Sequence, residues 1–326
     1  MPLVTALAAV LGWLGRQRTR AIAAVVLIAL VVPPVDALLK PFVTAAIFAL
    51  LCLAFLRIDV AALRSHMRSP WLVLAATAWT SVVVPVVCGL GCLLAGLDTR
   101  APDLFLALML QAVASPMMAA PAFAALMGLD ATLVLTTLVT ATAITPVSAP
   151  LLTYVFLGPA LTLSPWTLGV NLFAILAGSL ALGLVMRRFA GAAAIRRYSD
   201  QIDGMNILLV FVFVGAVMEN VAARFFAAPL AMIGLTALAF ALAFAVLGLT
   251  ALIFAKAGAE RSFVLALMAS QRNMGLMLAA TGGALPDFTW LYFALAQFPA
   301  YLSPLLLSPL ARRVKERVGT SAGKEP

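Results

Sequence analysis

The chain has 326 residues, of which 64% are hydrophobic and only 10% charged, and its formal net charge is +9. A water-soluble domain carries about 25% charged residues. The composition therefore excludes a soluble protein, and with it the nucleic-acid partner that so basic a chain would otherwise suggest. Ten-residue alternating segments are lacking, which excludes a membrane β-barrel.

In chain order, the apolar stretch Leu3–Leu14 comes before Arg16, Arg18 and Arg20, the reverse of a signal peptide. With Trp13 it predicts an interfacial helix over residues 1–20. Apolar runs follow at 21–39, 41–57, 70–97, 104–127, 131–157, 164–186, 204–218, 227–255, 262–285 and 289–310. A helix crosses the ~30 Å hydrocarbon core with about 20 residues. The runs thus predict an all-α integral membrane protein with about ten transmembrane helices in one domain over residues 21–310. A polar tail over 311–326 is expected to be mobile.

Charge placement orients the spans. With the N-terminus cytoplasmic, the inside segments hold Arg16, Arg18, Arg20, Arg57, Arg64, Arg68, Arg187, Arg188, Arg196, Arg197, Lys256, Arg261, Arg312, Arg313, Lys315, Arg317 and Lys324, 17 of the 21 basic residues. Lys40, Arg100 and Arg224 fall outside, and Arg272 alone falls within a span. This is the positive-inside asymmetry of short loops. It predicts a multi-pass protein of the bacterial inner membrane with both termini cytoplasmic.

Most of the usual chemistry is missing. Cys52, Cys88 and Cys92 lie in spans. Cys88 and Cys92 share a helical face at i, i+4 but have no His or carboxylate companion, so they read as small hydrophobes. His66, between Arg64 and Arg68, reads as solvated. There is no Walker A loop and no nucleophile–base–acid arrangement. The sequence points to no enzyme, no cofactor and no metal site.

Two spans break the pattern at matching places. The fourth carries Pro116 and Pro121 in mid-span. Each proline deletes an intrahelical hydrogen bond, and the freed backbone must be met by protein or line a wet cavity. At the turn that follows, Asp130 after Gly128 predicts a helix cap. The ninth span carries Ser270, Gln271, Arg272 and Asn273 halfway along. A charge at mid-depth costs at least ~2.5–3.5 kcal/mol on insertion scales, so an intramembrane Arg marks a site by default. Ala149-Pro-Leu-Leu152 matches Ser303-Pro-Leu-Leu306 at an offset of 154, the same offset that relates Ser115 to Ala269. Halves of five helices have opposite topology. The pattern predicts two inverted repeats, about 21–157 and 164–310, with discontinuous helices 4 and 9 crossing at a transport site.

From about Val25 to Leu310 the chain resembles the bile acid:sodium symporter superfamily. The likeness rests on Leu50–Asp59 before a basic loop, Ser69-Pro70, Leu126-Met-Gly-Leu-Asp130, Thr145–Leu152 and Arg272-Asn-Met-Gly-Leu276, in that order and spacing. The resemblance implies a panel domain (spans 1, 2, 6, 7) and a core domain (3–5, 8–10), moving against each other in alternating access. Sodium-coupled members carry Glu-x-Gly-x-Gln-Asn in the ninth span. Those positions read Met268, Ser270, Arg272 and Asn273 here, so only the Asn survives. The family's Ser-Asn pair falls on Ala120-Pro121, and its hydroxyl ligands near Val134 and Leu138, with Thr136, Thr137, Thr140 and Thr142 close by.

A hard cation prefers oxygen ligands, and these departures remove oxygens while adding a fixed cation. The expected substrate-binding residues are Arg272, Asn273, Gln271, Ser270, Ser115, Met117 and Met118, with Met268, Met274 and Phe123 adding apolar wall. The expected cargo is a small or amphipathic organic anion, carried without sodium at the usual sites; the oligomeric state stays open, a monomer being compatible. The alternatives are a sodium- or proton-coupled bile-acid-like symporter and a non-transporting membrane receptor. A thiolate-using arsenite exporter is disfavoured, because the fourth span has no Cys.

Overall fold

The computed structural model describes residues 2–17, 21, 24, 28, 36–57, 70–158, 163–218 and 221–322. Most of the first expected span lies outside the described residues, as do Arg18, Arg20, Asp59, Arg64, His66, Arg68, Ser69 and Lys324.

The described residues are helical almost throughout. Helix α1 (Pro2–Arg16) is followed by α2 (Val43–Leu56) and α3 (Pro70–Leu94), the last holding one π-helical turn at Trp79–Val83. Then come α4 (Pro102–Val113), α5 (Ala120–Leu126), α6 (Ala131–Leu157), α7 (Pro165–Arg197) and α8 (Ser199–Val217). The chain closes with α9 (Pro229–Ile253), α10 (Ala259–Ser270), α11 (Met274–Ala280) and α12 (Asp287–Ala322). Six of these, α3, α6, α7, α8, α9 and α12, are long and apolar enough to cross a membrane. Helices α2 and α4 are shorter apolar segments.

The elements start and stop for local reasons. Asp130 caps α6 as the sequence predicts: its Oδ1 accepts from the N–H groups of Thr132 (3.1 Å) and Leu133 (3.0 Å). Ser164 does the same for α7 through the N–H of Thr167 at 3.1 Å. Residues 311–322, within the segment expected to be a mobile tail, prolong α12 to Ala322. The run Ala-Arg-Arg-Val-Lys-Glu is made mostly of good helix formers with no breaker among them.

Packing separates the helices into a peripheral and a central set. In the most apolar window of α12, 72% of residues are buried, against 22% in α9, so α12 runs through the interior while α9 faces outward. Helix α2 packs on α7 and α8, and α9 on α10 and α12. Helix α1 lies along α8 rather than apart from the bundle. A Cβ built on Gly204 would sit 2.0 Å from the Leu11 carbonyl oxygen, and one on Gly15 would sit 1.9 Å from that of Asp200. Only two glycines facing each other permit backbones that close.

The two ends of the bundle carry separate polar contacts. At one end Arg16 pairs with Asp200 (3.8 Å), Arg57 with Asp203 (2.6 Å), and Arg187 donates to the Leu56 carbonyl (3.1 Å). At the other, Arg224 faces Asp287 at 4.0 Å and Lys40 lies 5.6 Å from the Trp290 ring centre. The grouping matches the partition of basic residues drawn from the sequence.

Candidate functional site: a buried arginine where two broken helices meet

Helix α4 stops at Val113, and Ala114 turns to an extended backbone (φ −60°, ψ 145°) two residues ahead of Pro116. Helix α10 stops at Ser270, with Gln271 extended (φ −95°, ψ 108°). The two breaks run antiparallel past each other, Pro116 opposite Arg272. The Met117 N–H donates to the Gln271 carbonyl and the Asn273 N–H to the Ser115 carbonyl, both at 2.8 Å. Freed backbone groups cannot face lipid; here each break satisfies the other. The Asn273 side chain caps α11, its Oδ1 accepting from the Leu276 N–H at 3.1 Å. The Ser270 hydroxyl donates to the Leu267 carbonyl at 2.8 Å.

Arg272 sits inside this crossing, 6% exposed. A single nitrogen, Nη1, donates to two carbonyls, those of Thr80 and Ala114, each at 3.0 Å. Both oxygens are free for identifiable reasons. In the π-turn of α3 the Val84 N–H reaches back to the Trp79 carbonyl, a register of five instead of four. The next residue in that register, which would serve Thr80, is Pro85, which has no N–H. The Ala114 carbonyl is freed by the break itself. Such π-turns in longer helices often mark functional sites. The guanidinium thus stands where two helices expose backbone oxygens, much as a bound cation would.

Among the described residues no carboxylate pairs with it. The ion pairs described above all lie at the ends of the bundle, and none includes Arg272. Its second terminal nitrogen, Nη2, is buried with no hydrogen-bond partner. Unpaired as well are Ser115 Oγ, Gln271 Oε1, Thr80 Oγ1 and Thr142 Oγ1.

The residues expected from the sequence divide into two groups. Arg272 and Ser270 line a cavity of about 360 Å³ between α3, α4 and α9. Ser115, Gln271 and Asn273 build the crossing behind it. Met117 and Met118 are half-buried on the break, while Met268, Met274 and Phe123 are packed in the core. The cavity wall is instead made by valines, leucines and alanines of α3 and α9, joined by Gln111, Cys88 and Cys92. The two cysteines, read from the sequence as buried hydrophobes, therefore face a space beside Arg272. Pro121 falls at the start of α5, where a missing N–H costs nothing.

Sequence reasoning missed Thr80, Pro85 and Gln111. A proline fifteen residues into an apolar span was the available signal for the first two. Gln111 accepts the Tyr292 hydroxyl on its Oε1 at 2.5 Å, which leaves its amide hydrogens as the donors still available.

A model of the sodium bile acid symporter family matches residues 44–224, more than half of the chain. The chain belongs to the sodium bile acid symporter family. No curated protein matches it. Members of this family are transporters, so the helices of this bile acid symporter relative belong to a multi-pass membrane carrier. The match runs through α2 to α8 and ends before α10 and Arg272. Of the positions where the resemblance places sodium ligands, Met268, Val134 and Leu138 are buried apolar side chains. Three of the four nearby threonines are engaged locally, Thr136 donating to the Thr132 carbonyl (2.8 Å), Thr137 to that of Leu133 (2.9 Å) and Thr140 to that of Thr136 (3.1 Å), while the Thr142 hydroxyl is unpaired.

Proposed function

We propose that this protein is a secondary transporter of a small or amphipathic organic anion, working by alternating access without sodium at the family's usual sites. One observation carries the reading. Arg272 Nη1 bridges the Thr80 and Ala114 carbonyls at the helix crossing, with no carboxylate of the described residues paired to it. A tethered cation there stabilises the unwound backbone, as an ion would, and attracts an anion. For a sodium ion within ~4 Å, at an effective dielectric of ~20, repulsion would be roughly 4 kcal/mol. That is about a thousandfold in affinity.

Around this site we place ten spans in two inverted repeats, 21–157 and 164–310, with the N-terminal segment 1–20 and the tail 311–326 flanking them. Helices α3 and α9, the broken pairs α4/α5 and α10/α11, and α6 and α12 would be the repeat partners within a core domain. The protein would sit in a bacterial inner membrane with both termini cytoplasmic. Its partners would be the lipid bilayer and the small-molecule anion.

A second reading has one observation behind it. The unpaired oxygens of Ser115, Gln271 and Thr142 are ligands of the kind a sodium ion takes. Flux into proteoliposomes, measured in sodium and in choline buffers of equal ionic strength, separates the two. Rates within about twofold of each other support the arginine reading, and a steep saturable sodium dependence overturns it in favour of a sodium-coupled symporter.

A further inference from the structure

The cavity beside Arg272 has a chemistry of its own. Its volume of about 360 Å³ corresponds, at roughly 30 Å³ per water-sized group, to about a dozen heavy atoms. Its lining is aliphatic along α3 and α9, as ligand pockets mostly are, with few polar groups. Those groups are Arg272, the Gln111 amide, the thiols of Cys88 and Cys92, and Ser270, whose hydroxyl already donates to the Leu267 carbonyl. They are donors, and no Asp or Glu among the described residues lines the space. Outward, the cavity reaches Val87 and Leu249, both more than a third exposed on helix faces that the apolar character of α3 and α9 turns toward lipid.

From this arrangement we infer that the cavity binds a single-tailed aliphatic monoanion, a carboxylate or sulfonate with a chain of medium length, which enters sideways from the membrane. The head group accepts hydrogen bonds from the Arg272 guanidinium and the Gln111 amide. The chain lies between α3 and α9, against Val84, Val87, Leu242 and Val246. An uncompensated buried charge is expensive in a low-dielectric interior, and the ligand's carboxylate supplies the missing counter-charge. The inference rests on the proposed role of Arg272 as an unneutralised cation, and it adds both the class of anion and its route.

Binding is read directly, without transport. The purified Cys52→Ala protein in zwitterionic nanodiscs is treated with a small methanethiosulfonate reagent, and labelling of Cys88 and Cys92 is followed with decanoate, butyrate or decanol present. Decanoate should slow labelling at least tenfold, butyrate far less, because each methylene adds about threefold to fourfold in affinity. Decanol, with the same tail and no charge, should protect weakly. Two variants probe the two halves of the site. Gly91 lines the cavity, and a Cβ placed on it meets nothing within 4 Å. Gly91→Trp should therefore fill the space and abolish decanoate protection without disturbing the fold. Arg272→Met should leave decanoate no better than decanol.

Equal protection by decanol and decanoate in the parent protein, or full protection in Gly91→Trp, would overturn the inference. So would protection by phosphatidylglycerol nanodiscs alone to which decanoate adds nothing, since the occupant would then be a lipid head group. Loss of decanoate protection alongside sodium-independent anion flux would sink this inference alone. Decanoate protection alongside steep sodium dependence would sink the coupling reading and leave the site standing.

Discussion

Arg272 poses the question of whether a buried charge holds the structure or does something else. Replacing it with Met leaves the Thr80 and Ala114 carbonyls without a donor, at about 1–3 kcal/mol each. It also removes the desolvation penalty of an ion with no counter-charge. Even buried ion pairs exchanged for apolar side chains of similar size are often neutral or stabilising by about 1–4 kcal/mol, and a charge without its partner lacks the attraction that offsets the penalty. The two effects roughly cancel, so Arg272→Met should unfold within a few degrees of the parent while anion flux falls at least tenfold. Normal flux in that variant would reduce the arginine to a packing element. Arg272→Lys should not restore flux, because an ammonium is a point charge and lacks the planar fork. Asp130 offers the opposite case. It caps α6 through two backbone N–H groups, its own N–H donates to Glu260 Oε1 at 3.1 Å, and the whole of α5 separates it from the crossing. Asp130→Asn should keep both cap and flux, whereas Asp130→Ala should cost about 1 kcal/mol of stability with flux per folded molecule unchanged. Complete loss of transport by a folded Asp130→Asn protein would assign it a proton or ion role instead.

Among the elements, what could be read from the sequence depended on whether a local marker existed. The break between α4 and α5 was marked by Pro116 and Pro121, although α12 keeps Pro299, Pro304 and Pro309 within one helix, so proline spacing points to a break without deciding it. The break between α10 and α11 contains no proline, and the polar cluster Ser270–Asn273 gave it away. Thr80 was not visible. Its carbonyl is freed by a register change whose cause, Pro85, lies five residues on inside what reads as an unremarkable span. The cavity was hidden for a different reason: α3, α4 and α9 bring it together from residues 84 to 272, and no periodicity within one helix encodes that. Side-chain type pointed to methionines as the apolar wall, but packing placed Met268 and Met274 in the core and gave the wall to valine and leucine. The π-turn makes a test possible. Pro85→Ala restores an N–H and allows α3 to relax to a regular helix, which satisfies Thr80 internally and takes a partner from Arg272. Thermal stability should rise, since proline in a helix interior costs about 3 kcal/mol, and initial flux should fall severalfold. Unchanged flux would show that the Thr80 carbonyl is dispensable.

For the whole molecule, composition settled the class and basic residues sorted the ends. The contacts of Arg16, Arg57 and Arg187 at one end, and of Lys40 and Arg224 at the other, agree with that sorting. Reporter fusions after Arg68 and after Arg313 should both read as cytoplasmic; an external reading at either point removes the ten-span arrangement. The close pairing of α1 with α8 was not legible, because Gly15 and Gly204 lie 189 positions apart and only their approach gives them meaning. Family membership, by contrast, lay open in the sequence, carried by short stretches in a fixed order more than by any one motif.

That Nη1 holds two carbonyls from one covalently attached side chain has an electrical consequence. A dissolved ion leaves at the end of each turnover and takes its charge with it. A guanidinium cannot leave, so over a full cycle it contributes nothing to the current, and on the proposed function a carried monoanion would cross uncompensated. Each turnover would then move one negative charge, worth about 2.3 kcal/mol per 100 mV. At about 1.4 kcal/mol per factor of ten, a membrane negative inside by ~100 mV would hold the anion some fiftyfold more concentrated outside. A member of the sodium bile acid symporter family that works as proposed, with an arginine in place of the ion, would run on voltage and in the direction of export.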